Sequence, residues 1–213
     1  MHDLTDAERR LALGFVVVMS VLGITGVALS PYLLVHQPHL LVLLNPDGRH
    51  LVLAAPELSV WEMLALGAPR RMLSLLATYA LARVYGQRAL AFAGEKLKTV
   101  SRIAAFLERA LVKVGAPLLV VFPTHSLAAL AGATARPVRW FLLPLAIGQV
   151  PFVLAHYYFG EAIGAWTAKL TAYLAQHVWE ATGVMCLIVA VQQLVVRLRR
   201  RRIEREELSE QSG

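Results

Sequence analysis

Cationic, imidazole and hydroxyl side chains gather at two interruptions of otherwise apolar sequence, and they are the donors that a phosphate-bearing group needs. At the first interruption Asn45-Pro46-Asp47-Gly48-Arg49-His50 separates the apolar runs 39–44 and 51–55; at the second Pro123-Thr124-His125-Ser126 separates 118–122 from 127–133. Asn45, Arg49, His50, Thr124, His125 and Ser126 are therefore candidate substrate-binding residues, because an anion at low dielectric is held by charged and neutral hydrogen-bond donors. Arg136 and Arg139, which bracket Pro137, join them as cations placed to attract anionic headgroups, although membrane topology alone also accounts for them. Arg49 equally suits an interfacial arginine beside a turn.

Two acidic residues are candidates for carrying a coupling proton. Burial would raise the carboxyl of Asp47 toward neutrality, but Asp in Pro-Asp-Gly also serves a turn by itself. Glu57, after Pro56, is either a second such carboxyl or the cap of the following helix. Pro46, Gly48, Pro123 and Gly132 are the expected helix-breaking positions of the two interruptions. Gly132, Gly148 and Gly160 also suit close packing between helices. His156, next to Tyr157 and Tyr158, reads as an interface marker.

Other chemistries find little footing. His125 and Ser126 are adjacent, so on a helix they diverge by about 100° and make no nucleophile–base pair. No triad spacing, paired catalytic carboxylates or metal-ligand cluster is present, so the expectation is a protein that is not an enzyme and uses no metal or cofactor. The lone Cys186 leaves no intrachain disulfide. A net charge of +7 points to topology and anionic lipid surfaces rather than nucleic acid, since the basic residues lie beside apolar blocks and not among exposed aromatics.

The elements that must position these residues belong to a membrane. Of 213 residues 57% are hydrophobic and 16% charged, and the mean hydropathy is +0.57. The apolar residues come in blocks approaching the ~20 residues that cross hydrocarbon. The expectation is one all-α integral membrane domain over 11–196, preceded by a cytoplasmic N-terminus 1–10 and followed by a basic, then mixed-charge, disordered tail 197–213. The first apolar block, 11–30, is stopped by Pro31. It is read as a retained span rather than a signal peptide, because it is long and lacks a small-residue cleavage site. Hairpin one occupies 39–55 and hairpin two 117–135. Each is too short and too broken to cross as a straight helix, and the first also fits a surface loop. Non-helical backbone at membrane depth must be covered by protein or water, so such hairpins imply a cavity.

Between the hairpins, 57–67 reads as an interfacial helix, Pro69-Arg70-Arg71 opens a span over 72–85, and Gly86-Gln87 ends it. An amphipathic cytoplasmic helix follows over 95–113. Further spans are expected at 141–158 and 177–196, joined by an interfacial connection at 166–176. This gives about four transmembrane helices plus two re-entrant helical hairpins, with hairpin-plus-span occurring twice in an inverted repeat. The arginine cluster after Val196 places the C-terminus in the cytoplasm, as does Arg9-Arg10 the N-terminus, in a plasma (inner) membrane. Arg49, Arg70 and Arg71 then fall on the outer side, against that rule.

From these residues a family resemblance emerges. The run Phe122-Pro123-Thr124-His125-Ser126-Leu127-Ala128-Ala129-Leu130-Ala131-Gly132-Ala133, followed by a basic turn, Phe141, Gly148 and Gly160, resembles the DedA family, also called the VTT-domain or SNARE-associated family. Tyr79-Ala80-Leu81-Ala82-Arg83-Val84-Tyr85-Gly86 resembles that family's span ending in an aromatic–glycine pair. The resemblance covers roughly residues 40 to 160. It implies two re-entrant hairpins and a lipid translocase or scramblase that moves a phospholipid or polyprenyl-phosphate headgroup, with proton or sodium coupling and membrane lipids as partners; an oligomer is compatible with it. One departure stands out: the family places arginines around the second hairpin's proline, in a pattern like Gly-Arg-Phe-x-Pro-x-x-Arg, whereas Val, Phe, Thr, His, Ser and Leu surround Pro123. The alternative from another class is a non-transporting protein that organises partners through 95–113 and the basic tail.

Overall fold

The computed structural model describes residues 5–96, 116–134 and 137–211. The described elements are all helical: α1 (Asp6–Ala28), α2 (Ser30–His36), α3 (Pro38–Leu44), α4 (Gly48–Ala54), a 3-10 turn (Ala55–Glu57), α5 (Val60–Lys96), α6 (Ala116–Val121), α7 (His125–Ala133), α8 (Val138–Ala162), α9 (Gly164–Gln176) and α10 (Val178–Gln211). The predicted amphipathic helix 95–113 falls almost wholly outside the described residues, as does Arg136.

Three helices are long and apolar enough to cross a membrane: Asp6–Ala28, Val138–Ala162 and Val178–Leu198. They coincide with three of the four expected spans. Only 6% of the apolar window of α1 and 11% of that of α10 are buried within the protein. Leu11, Val17, Val21, Leu187 and Leu194 lie exposed on them. Apolar surface on that scale is stable in hydrocarbon and a liability in water. At its start α1 is fixed by a capping box, in which Thr5 Oγ1 accepts from the Glu8 amide at 3.3 Å and the Glu8 carboxylate accepts from the Thr5 amide at 2.8 Å. Pro31 does not simply stop the first span. It sits in the first turn of α2, where its missing N–H is harmless.

The centre of the molecule is α5. Sequence reasoning divides it into an interfacial helix and a separate span, with the boundary at Pro69; the structure instead shows one helix of 37 residues running through Pro69. An internal proline costs a helix ~3 kcal/mol. Here the helix is anchored on both sides of it by buried Met63, Arg70, Arg71 and Leu75, while Pro69 itself faces outward. Gly86 likewise fails to end the helix, because one helical glycine costs only ~1 kcal/mol.

Two cores flank this axis. One gathers Leu75 and Tyr79 of α5, Leu119 of α6, Leu127 and Leu130 of α7 and Phe141 of α8. The other gathers Val42 of α3, Leu51 of α4, Leu58, Met63 of α5 and Val153 of α8. Each interrupted segment thus has its own core, and both cores are closed by α5 and α8. The tail departs from expectation too: α10 continues as helix to Gln211 where disorder is predicted. Arg, Glu and Leu are strong helix formers, and extending an existing helix avoids the cost of nucleating one.

Candidate functional site

Both interruptions are real breaks between helices, and proline causes each. Pro46 lacks an N–H and disfavours helical geometry in the residue before it, so Asn45 turns to φ −144°, ψ 93° and α3 stops. Asp47, at φ −63°, ψ 149°, remains extended until Gly48 opens α4. At the second break Pro123 separates α6 from α7. Thr124 (φ −107°, ψ 156°) then serves as the N-cap of α7, its Oγ1 accepting from the Leu127 amide at 3.5 Å. Gly132 breaks nothing: it lies inside α7, where a Cβ would run into the Tyr79 carbonyl of α5. Gly148 and Gly160 serve the same close packing, against the backbone of Val120 and Val52 respectively.

A broken helix leaves carbonyls without partners, and two adjacent arginines of α5 reach one break each. Arg70 Nη2 donates to the Leu44 carbonyl at the end of α3 at 2.9 Å. Arg71 Nη2 donates to the Pro123 carbonyl at 3.2 Å. Both side chains are nearly enclosed, at 5% and 7% exposure. The sequence analysis sets them on the outer side of the membrane, against the positive-inside rule; within the protein they are buried donors, whereas that rule counts charges of flanking loops. The Arg71 guanidinium also lies over the Phe152 ring, 3.6 Å from its centroid, and Phe152 stacks on His156 at 4.1 Å. Arg70 Nε and Nη1 and Arg71 Nε have no hydrogen-bond partner among the described residues. Pro123, which the sequence leaves bare of neighbouring arginines, thus has one supplied from another helix.

The predicted site residues divide around this pair. Asn45 is buried and committed to structure: Nδ2 donates to the Gly23 carbonyl at 3.2 Å and Oδ1 accepts from the Asp47 amide at 3.3 Å. His50, only 4% exposed, gives its Nδ1 to the Asn45 carbonyl at 3.0 Å; since a carbonyl only accepts, that nitrogen carries the proton. Arg49 is exposed and reaches Asp47 Oδ2 at a loose 3.7 Å. His125 is exposed at the start of α7, its Nδ1 2.8 Å from Thr78 Oγ1 of α5. The Thr78 hydroxyl also lies within donating distance of the Ser74 carbonyl, at 3.2 Å. Ser126 and Arg139 are exposed. Glu57 is exposed on the 3-10 turn and does not cap α5. Ser59 and Glu62 do that, with the Ser59 amide donating to Glu62 Oε2 at 2.8 Å and the Glu62 amide to Ser59 Oγ at 3.3 Å. His156 is half-buried against the first break: a methyl at Gly48 would lie 2.5 Å from its Nε2.

A cavity of about 440 Å³ opens between α1, the first break, α5 and α10. Ser20, Asn45, Asp47, Thr78, Gln192 and Gln193 supply most of its polar lining. Of the predicted residues only Asn45 and Asp47 line it directly, and His125 reaches it through Thr78. Arg70, Arg71, Thr78, Gln192 and Gln193 are missed by the sequence reading. The signal for them was available, since polar side chains within long apolar helices are costly and persist where they face a partner or a cavity. No protein-family model, curated protein or solved structure matches this chain.

Proposed function

We propose that the chain moves the polar headgroup of a membrane lipid, a phospholipid or a polyprenyl phosphate, across the bilayer, as a divergent protein of DedA type. The observation that carries this reading is the pair Arg70–Arg71. Adjacent residues of one helix hold the open carbonyl ends of two proline-broken helices beside a cavity of mixed polarity, in a chain with three helices apolar enough to cross a membrane. A lipid's tails can stay in hydrocarbon throughout, and the cost of crossing lies in stripping water from the headgroup. Irregular backbone lining a wet cavity is the arrangement that lowers that cost within a membrane.

The order of elements supports the same reading, because a broken helix is followed by a long helix twice, α3–α4 by α5 and α6–α7 by α8. In this reading the two broken units are the re-entrant hairpins of an inverted repeat and both termini are cytoplasmic. The test is exchange of a fluorescent lipid between leaflets of liposomes with and without the purified protein. Exchange exceeds that of empty liposomes, and Thr78→Val or Gln193→Ala, each removing a polar group that lines the cavity, slows it by roughly fivefold, the equivalent of ~1 kcal/mol for one polar contact. Rates equal to those of empty liposomes would refute translocation in favour of a scaffold.

A further inference from the structure

We infer that α9 is a membrane-surface anchor: it lies along the phospholipid interface of one leaflet, with Trp166, Leu170 and Tyr173 set among the upper acyl chains and Lys169 at the level of the lipid phosphates. The inference concerns how the protein is held in the bilayer and does not rest on the translocation reading.

Length and placement come first. At 13 residues α9 extends ~20 Å, short of the ~30 Å of hydrocarbon that a straight crossing needs. It joins the end of α8 to the start of α10, two of the three helices long and apolar enough to cross, so it sits where those helices leave the hydrocarbon.

The faces of the helix fix how it lies there. Thr167 is buried, Thr171 and Leu174 are half-buried, and Leu174 packs on the core of Leu33, Leu34 and Leu41. At about 100° per residue, Trp166, Leu170 and Tyr173 form a second stripe about a quarter-turn away from that buried side. All three are exposed, Trp166 at 77% and Tyr173 at 62%. The remaining face carries exposed Ala165, Ala168, Ala172 and Gln176. A helix lying beside a protein at the water boundary meets three surroundings in turn: protein on one side, lipid a quarter-turn below it, water above. The buried side, the aromatic stripe and the small, polar face of α9 follow that order. Lys169 stands between the stripe and the water face, its Nζ 5.9 Å from the centre of the Trp166 ring. From there an ammonium reaches phosphate oxygens while its stem covers apolar surface.

Neighbouring residues continue the stripe into a belt. Tyr158 and Phe159 near the end of α8 and Trp179 in the first turn of α10 are all exposed. Trp and Tyr favour the headgroup boundary, where an apolar ring and a polar tip are both satisfied. The far end of α10 has no aromatic residue and carries Arg197 and Arg199 to Arg202 instead, so α9 belongs to the leaflet opposite those arginines. Because α9 packs on α2 and the 3-10 turn, its depth also sets that of the first broken unit.

The test uses full-length Cys186→Ser protein in liposomes, with one nitroxide label at a time on Leu170→Cys, Tyr173→Cys, Ala168→Cys or Ala172→Cys. Electron paramagnetic resonance reads the access of each label to oxygen, which enters hydrocarbon, and to a water-soluble nickel complex. The oxygen-to-nickel ratio at 170 and 173 is expected to exceed that at 168 and 172 by at least roughly fivefold, since the apolar face of an interfacial helix sits ~5–10 Å into the headgroup–acyl boundary. High nickel access at all four positions overturns the anchor. Loss of access to both reagents at 170 and 173 also overturns it, in favour of a second copy of the chain covering the stripe. A second measurement needs no variant: tryptophan emission of the wild-type protein, to which the exposed Trp61, Trp166 and Trp179 contribute, is quenched more by lipids brominated high on the acyl chain than by lipids brominated near its end. Equal quenching by the two lipids, or none by either, overturns the placement.

Discussion

The stack of Arg71 on Phe152 gives the architecture a quantity that can be measured. A guanidinium 3.6 Å from a ring centroid and screened from solvent is worth about 2 kcal/mol when desolvated. Its hydrogen bond to the Pro123 carbonyl adds ~1.5–3 kcal/mol as a bond to a charged group. Against these stand the unpartnered Arg71 Nε, at ~1–3 kcal/mol, and the desolvation of a buried charge. The single variant Arg71→Ala mixes all of these. A double-mutant cycle of Arg71→Ala and Phe152→Leu cancels everything except the direct pair, so a coupling energy of about 1–2 kcal/mol is expected. Reversible unfolding in mild detergent titrated with a denaturing detergent, followed by tryptophan fluorescence, would read it. A coupling below about 0.5 kcal/mol would refute the idea that the ring holds the guanidinium in place. Arg71→Lys should recover less than half of the single-variant loss, because an ammonium lacks the planar face that stacks.

Other perturbations follow from the same geometry. Arg70→Ala frees the Leu44 carbonyl, and a loss of ~1–3 kcal/mol in the same unfolding assay is expected. Gly132→Ala should destabilise by ~1–3 kcal/mol because its methyl meets the Tyr79 carbonyl, whereas Gly14→Ala, with nothing within 4 Å, should be neutral or stabilise by up to ~1 kcal/mol. The Glu62 carboxyl is held down to about 2, against an ordinary 4.5, chiefly by the Ser59 hydroxyl, then by the Ser59 amide and by His39. Because the folded value is depressed, the contribution of this cap is fully present above pH 4.5 and is lost as pH falls through about 2. NMR titration of Glu62 should show that midpoint, and Ser59→Ala should move it upward.

Much of the local structure was legible from residue types alone. Pro46 and Pro123 each stand among residues that favour turns or caps, Asn45, Asp47 and Gly48 at the first and Thr124 at the second, so both interruptions are legible without any tertiary contact. Apolar blocks near bilayer length located the three candidate crossings. Pro69 does not break its helix because a proline's effect depends on what anchors the two sides, and that anchoring comes chiefly from α3, α7 and α8. The tail misled because charge was read as disorder although its residues favour helix.

The sequence by itself determined the breaks at Pro46 and Pro123 and the segments that prefer hydrocarbon, because turn chemistry and apolar transfer are properties of a few neighbouring residues. Tertiary structure decided which cation meets which break: Arg70 and Leu44 are 26 residues apart, and Arg71 and Pro123 are 52 apart. It also decided that Asp47 and α10 line one open cavity. A side chain's partner depends on which helices pack together, and here that packing is set by apolar contacts and glycine close approaches spread over the whole chain.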